Sequence, residues 1–154
     1  MNPQRPQPFA VAYPSNAMTP SRLAESNFSY MDAGAVTFKE SAIQDLSDMI
    51  SDRDPEILKE LVDAFLGEGT RQVQGMLRGI CNDDMSLLFL PAHSLKSSSA
   101  TFGAMRLAEL SQRLEDGLSG TRDKALLSNL VDQIEAEYAK VSIAIQDALA
   151  QWRA

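Results

Sequence analysis

The chain contains a single histidine, His93, whose neighbours suit chemistry at an exposed imidazole. If residues 91–104 form a helix, the 3.6-residue period places Lys96, Ser97 and Ala100 on the same face as His93. A neutral imidazole is a nucleophile, and a lysine one turn away supplies positive charge for an anionic group. Small neighbours leave room for a second protein to reach the ring. Taken alone, the same spacing also fits a merely structural histidine and a solvated lysine.

The other reactive groups of the chain fit catalysis or metal binding poorly. One histidine and one cysteine, Cys81, do not form a metal ligand set. A nucleophilic serine lacks a second histidine and a suitably spaced acid. We expect the small side chains of Ser98 and Ser99 to let a neighbouring helix pack closely. Their hydroxyls are expected to donate to backbone carbonyls one turn back. The opposite face of the helix is predicted to be core and comprises Ala92, Leu95, Ser99 and Phe102.

The run H-S-L-K-S-S-S-A-T-F-G-A at residues 93–104 resembles the signature of histidine-containing phosphotransfer (HPt) domains, H-x-L-K-G-S-[SA]-x-x-x-G-A. Ser97 stands where many members have glycine. The resemblance implies that His93 accepts a phosphoryl group from a receiver-domain aspartate and passes it to another receiver. It implies that Lys96 steadies the phosphoryl group. No cofactor of its own is expected, and Mg²⁺ is expected on the partner receiver domain.

The partners implied by the resemblance are response-regulator receiver domains and a hybrid sensor histidine kinase. We expect Leu90, Ser97 and Ala100 to form the docking surface, although Leu90 fits a core position equally well. Arg71 and Arg78 either flank the site or lie on a solvent-exposed face of their helix without a role there. The second interpretation is favoured. No phosphate-cradling glycine loop or kinase-like motif is present, so the chain is not expected to be an enzyme with its own ATP site. The alternative function is a helical adaptor that binds a signalling partner without phosphotransfer.

Composition narrows the class of protein further. The net charge of -7, without a Lys/Arg cluster, argues against nucleic-acid binding. No apolar stretch approaches the roughly 20 residues that span a bilayer. The single cysteine suits a reducing compartment and is expected to be a small core residue at a helix end. These features predict a cytoplasmic protein, expected to be a monomer, that binds neither membrane nor nucleic acid.

The predicted fold is all-α: an antiparallel up-down four-helix bundle with an extra short N-terminal helix acting as a lid at one end. Residues 1–35 are predicted to be a disordered or loosely attached proline-rich tail, and residues 36–154 the bundle domain. A capping box at Thr37 is expected to start the short helix, whose apolar face includes Met49. Pro91 predicts either a kink or a late start of the histidine helix.

The remaining helices are predicted from caps and apolar periodicity. Asp54 and Pro55 begin the second helix, which reaches Cys81 and bends where Gly67 and Gly69 interrupt it. Asp83 or Asp84 caps the third helix, and the fourth starts near Ala104 and ends at Gly117 or Gly120. The fifth helix has the clearest seam: Leu127, Val131, Ile134, Tyr138, Val141, Ile145, Ala148 and Trp152.

Overall fold

The computed structural model describes residues 36–39, 41–50, 53–120 and 122–153, and the apolar periodicity produces helices over most of them. No strand occurs within these residues. The predicted tail, residues 1–35, lies outside them. The five α-helices are α1 (Ala42–Met49), α2 (Pro55–Cys81), α3 (Phe89–Thr101), α4 (Met105–Ser119) and α5 (Lys124–Arg153), with a 3-10 turn at Met85–Leu87.

The four long helices form a closed bundle, as predicted. Helix α3 packs against α4, α4 against α5, α5 against α2, and α2 against α3. The seam of α5 is buried from Leu127 to Ile145, and Ala148 and Trp152 are half-buried against the core. At 1.5 Å per residue, α5 is about 45 Å long and α3 only about 20 Å. Helix α1 packs on α5 and α2. None of the described helices is long and apolar enough to cross a membrane.

Helix α1 begins later than predicted. The capping box at Thr37 is wrong, because the helix starts after Ser41, whose hydroxyl donates to Asp45 at 3.2 Å instead of capping the backbone. The preceding segment is held elsewhere, since the Lys39 N–H donates to the Gly103 carbonyl at 2.9 Å. Met49, predicted on the apolar face, is 76% exposed.

Helix α2 begins as predicted and continues unbroken through both glycines. The Asp54 carboxylate accepts the Glu56 N–H at 2.9 Å, which satisfies one free donor at the helix start. A Cβ at Gly69 would lie 2.5 Å from the Tyr138 ring, so glycine here lets α5 approach α2 closely. The Tyr138 hydroxyl also donates to the Leu66 carbonyl. Gly69 is therefore a packing residue and not an interruption.

The end of α2 corrects one prediction about the core. Gly79 is on the buried face of the helix, close to Leu88 and the turn that follows. Cys81 comes two residues later, and two residues turn a helix by about 200°, so its side chain lies on the opposite side. Cys81 is accordingly exposed and is not the core residue that the sequence suggested.

Helix α3 starts late, which resolves the difficulty posed by Pro91. Asp84 caps the 3-10 turn by accepting the Ser86 N–H, and the α-helix begins only at Phe89. Pro91 is thus the third helical residue. The first four N–H groups of a helix have no intrahelical partner, so a missing N–H at this position costs no helical hydrogen bond.

The glycine near the end of the motif terminates α3. Gly103 has φ of +77°, a conformation that side chains resist. The Ala104 N–H donates to the Ser99 carbonyl at 2.8 Å, and the Gly103 N–H donates to Ala100 at 3.2 Å. This is a Schellman turn, which satisfies the last carbonyls of the helix. A Cβ at Gly103 would also lie 2.7 Å from Ala42, so glycine is needed both for the turn and for the packing of α1.

Candidate functional site

One face of α3 is buried and the other is exposed, as the sequence predicts. Ala92, Leu95, Ser99 and Phe102 are buried, whereas the side chain of His93 is 58% exposed. The imidazole stacks on the ring of Phe89, one turn earlier, with centroids 5.7 Å apart and an interplanar angle of 12°. One face of the imidazole is therefore covered by an aromatic ring.

Helix α4 supplies the group that orients the imidazole. His93 Nδ1 lies 3.0 Å from Glu115 Oε2, and the Glu115 side chain is only 11% exposed. An ionised carboxylate only accepts hydrogen bonds, so this pairing places the proton on Nδ1. The lone pair is then on Nε2, to which no described residue is hydrogen-bonded. In this arrangement Nε2 is the ring atom that remains available to a partner.

Lys96 belongs to the same cluster as His93 and Glu115. Its ammonium donates to Glu115 Oε1 at 3.1 Å and to Gln112 Oε1 at 3.0 Å. The Glu115 carboxylate thus bridges Lys96 and His93. The positive charge of Lys96 offsets the negative charge of Glu115, and both side chains are partly buried. An ammonium has three donors, so one N–H of Lys96 is left for a further anionic partner.

Sequence reasoning missed the residues that orient His93 and Lys96. Glu115 is the most important of them, because its nearly buried carboxylate contacts both side chains. The available signal was periodicity, because Glu115 lies one turn after Ser111 and one residue after Leu114, within the buried stripe of α4. A carboxylate inside an apolar stripe needs a partner. Gln112 and Phe89 carried no comparable signal.

The motif serines behave differently from one another. The Ser98 hydroxyl donates to the Ser94 carbonyl at 3.1 Å, one turn back, as predicted. Ser99 does not follow this prediction, because its buried Oγ has no hydrogen-bond partner among the described residues. Its small side chain instead lies in the core between α3 and its neighbours.

The predicted docking residues lie together on the exposed side of α3. Ser97 and Ala100 are exposed, and Leu90 is 73% exposed, so the core alternative for Leu90 is wrong. The arginines of α2 are also nearby. Arg71 and Arg78 are exposed, as the favoured interpretation expects, and they line a groove together with Leu90.

Comparisons with known proteins agree with this geometry. The sequence profile of the Hpt domain family matches residues 60–153. Among solved structures, the chain is similar to histidine-containing phosphotransfer protein B (HptB) from Pseudomonas aeruginosa PAO1, with a TM-score of 0.62 and 24% identity. The similarity covers 75% of this chain and 96% of that one. No match was found among curated proteins. Since the profile covers more than half of the sequence, including the complete His93 motif and Glu115, the chain belongs to the Hpt domain family.

Proposed function

We propose that the chain is a phosphocarrier that accepts a phosphoryl group on His93 Nε2 from a receiver-domain aspartate and passes it to another receiver aspartate. The observation that carries this proposal is an exposed imidazole whose Nδ1 is occupied by Glu115, within a chain of the Hpt domain family. The phosphodonor is a receiver domain and not ATP, and the ultimate source is a hybrid sensor histidine kinase.

The reaction requires little rearrangement of the site. The Nε2 lone pair attacks phosphorus, the Nε2–P bond forms, and the P–O bond to aspartate breaks with its electron pair leaving on the carboxylate. The ring still holds its Nδ1 proton and becomes positively charged. Glu115 faces that proton at 3.0 Å and stabilises the developing charge. Return transfer reverses these steps. Mg²⁺ is supplied by the receiver domain.

Lys96 has two roles in this proposal, one toward Glu115 and one toward the phosphoryl group. Its ammonium neutralises Glu115 before transfer, at 3.1 Å. Its third N–H is the donor available to a phosphoryl oxygen once Nε2 is modified. Ser97 and Ala100 have small side chains, which let a receiver domain approach α3 closely. The receiver can then bring its aspartyl phosphate into line with Nε2.

Transfer of label tests the proposal. Purified receiver domains, phosphorylated with ³²P, are mixed with the wild-type chain and with His93→Gln. At least one receiver is expected to label the wild type, with an acid-labile and base-stable linkage, and to leave His93→Gln unlabelled. Because His93 is the only histidine, no second phosphohistidine site exists. Receiver domains that bind the wild type without ever labelling it would favour the adaptor function.

A further inference from the structure

The imidazole of His93 is held by two contacts that act on different parts of the ring. Glu115 contacts its edge at Nδ1, at 3.0 Å. Phe89 covers one face, with ring centroids 5.7 Å apart and an interplanar angle of 12°. A hydrogen bond at one atom leaves the ring free to pivot about that atom, whereas a parallel stack fixes the plane of the ring. The two contacts together determine where Nε2 points.

The start of α3 places Phe89 in this position. Phe89 is the first residue of the helix, so it already has helical geometry and lies one turn before His93. Side chains of a helix lean toward its N-terminus, which brings the imidazole over the ring four residues earlier. Phe89 remains 43% exposed, and the buried residues of α3 are Ala92, Leu95 and Ser99. The ring of Phe89 therefore serves the reactive histidine and not the core.

Phosphotransfer changes the charge of the ring that Phe89 covers. The imidazole is neutral before transfer and becomes an imidazolium when Nε2 is phosphorylated with the proton still on Nδ1. The face of an aromatic ring carries partial negative charge, and it attracts a cation within about 6 Å of its centroid. At 5.7 Å, the imidazolium is within that distance of Phe89. The stack is thus stronger as the ring charge develops than before transfer, and a contact of this kind accelerates a reaction.

We propose that Phe89 is a positioning residue for phosphotransfer, which fixes the plane of the His93 ring and stabilises the imidazolium. Glu115 stabilises the same charge from the edge of the ring, and the two residues come from different helices. The inference rests on the proposed function, because it assigns a role in that reaction. The effect acts within the chain itself and does not depend on contact between Phe89 and a receiver domain.

Three variants separate the aromatic face from the bulk of the side chain. Phe89→Leu keeps an apolar side chain and removes the ring. Phe89→Trp keeps an aromatic face, and tryptophan attracts cations most strongly. Phe38→Leu is the matched control, because it makes the same change at a half-buried residue beside Lys39, which binds Gly103 at the opposite end of α3. Leucine favours a helix more than phenylalanine does, so α3 is retained in Phe89→Leu, as circular dichroism should show.

Two phosphodonors distinguish an effect on the ring from an effect on docking. Phosphoramidate labelled with ³²P is a small molecule that has no docking surface. Nε2 attacks its phosphorus, the Nε2–P bond forms, and the P–N bond of the N-protonated donor breaks with its electron pair leaving on ammonia. We expect Phe89→Leu to slow this labelling of His93 by about two- to fivefold, and to slow single-turnover transfer from a saturating phosphorylated receiver by a similar factor. Phe89→Trp should react at least as fast as the wild type, and Phe38→Leu at the wild-type rate.

The NMR resonances of the only histidine report on the stack itself. The ring current of Phe89 acts on the imidazole protons of His93, because the two rings are stacked. These resonances should therefore move in Phe89→Leu and stay in place in Phe38→Leu. Unchanged resonances in Phe89→Leu would show that the two rings are not stacked in solution and would overturn the inference.

The kinetic outcomes separate this inference from the proposed function. A wild-type rate with phosphoramidate in Phe89→Leu, together with weaker receiver binding, would make Phe89 a docking contact alone and overturn the inference. Equal slowing in Phe89→Leu and Phe89→Trp would assign the effect to side-chain shape and would also overturn it. Labelling by phosphoramidate that depends on the aromatic ring, with no labelling by any receiver, would contradict the phosphocarrier function and leave the role of Phe89 intact. The absence of label on His93 from either donor would overturn both.

Discussion

Replacing Glu115 with glutamine removes the charge that orients His93 while nearly preserving the shape of the side chain. In the wild type, Glu115 accepts from His93 Nδ1 at 3.0 Å and from the Lys96 ammonium at 3.1 Å, and its side chain is only 11% exposed. A hydrogen bond to a charged group contributes about 1.5–3 kcal/mol, and each 1.36 kcal/mol changes a rate tenfold. In the variant the imidazolium formed during transfer faces a neutral amide and loses the stabilisation by the negative charge. We therefore expect Glu115→Gln to slow transfer by about 10- to 100-fold.

The assay is single-turnover transfer from a phosphorylated receiver at saturating concentration, so that docking does not limit the rate. The matched control is Glu109→Gln, which makes the same change on the same helix at a carboxylate paired with Arg113. Thermal unfolding followed by circular dichroism should show that Glu115→Gln costs no more than about 1–2 kcal/mol. A folded Glu115→Gln variant with a wild-type transfer rate would refute the reasoning that the carboxylate orients and stabilises the ring.

Three further predictions follow from the structure. Lys96→Ala should slow transfer by about tenfold and cost about 1 kcal/mol in the free energy of unfolding, because a partly buried counterion is lost; a normal rate with a large drop in melting temperature would make Lys96 purely structural. Ser97→Trp and Ala100→Trp should weaken receiver binding, measured by calorimetry, while helical content stays unchanged; undiminished affinity in both would place docking elsewhere. Gly69→Ala should destabilise the bundle by about 1–3 kcal/mol in thermal unfolding, since its Cβ would lie 2.5 Å from Tyr138; an unchanged melting temperature would contradict the packing argument.

The sequence predicts much of the fold because its signals are local. Asp54 and Pro55 begin α2, and the steps of four and three along α5 predict its buried seam from Leu127 to Ile145. The start of α1 was missed because it depends on a contact distant in sequence, the hydrogen bond from Lys39 to Gly103. Gly69 was likewise misjudged, since its reason is a tyrosine that comes from another helix.

The residues of the candidate site likewise fall into two groups, those that a local pattern predicts and those that meet only when helices pack. His93 and Lys96 could be predicted because they share one face of one helix, three residues apart. Glu115 is 22 residues from His93 in the chain and reaches it only because α3 and α4 pack together. Arg71 and Arg78 are brought beside Leu90 by the packing of α2 on α3. Periodicity within one helix does not specify which side chains of two helices meet.

The atom of His93 that carries the phosphoryl group tests the central claim most directly. The chain with ¹⁵N-labelled histidine is phosphorylated by its receiver domain, and the imidazole nitrogens are observed by NMR with coupling to ³¹P. A single histidine gives one pair of ring nitrogens, so the assignment is unambiguous. Because Glu115 holds the proton on Nδ1, the phosphorus should couple to Nε2 while Nδ1 remains the nitrogen facing the carboxylate. Phosphorus bonded to Nδ1, or label on a residue other than His93, would contradict the account.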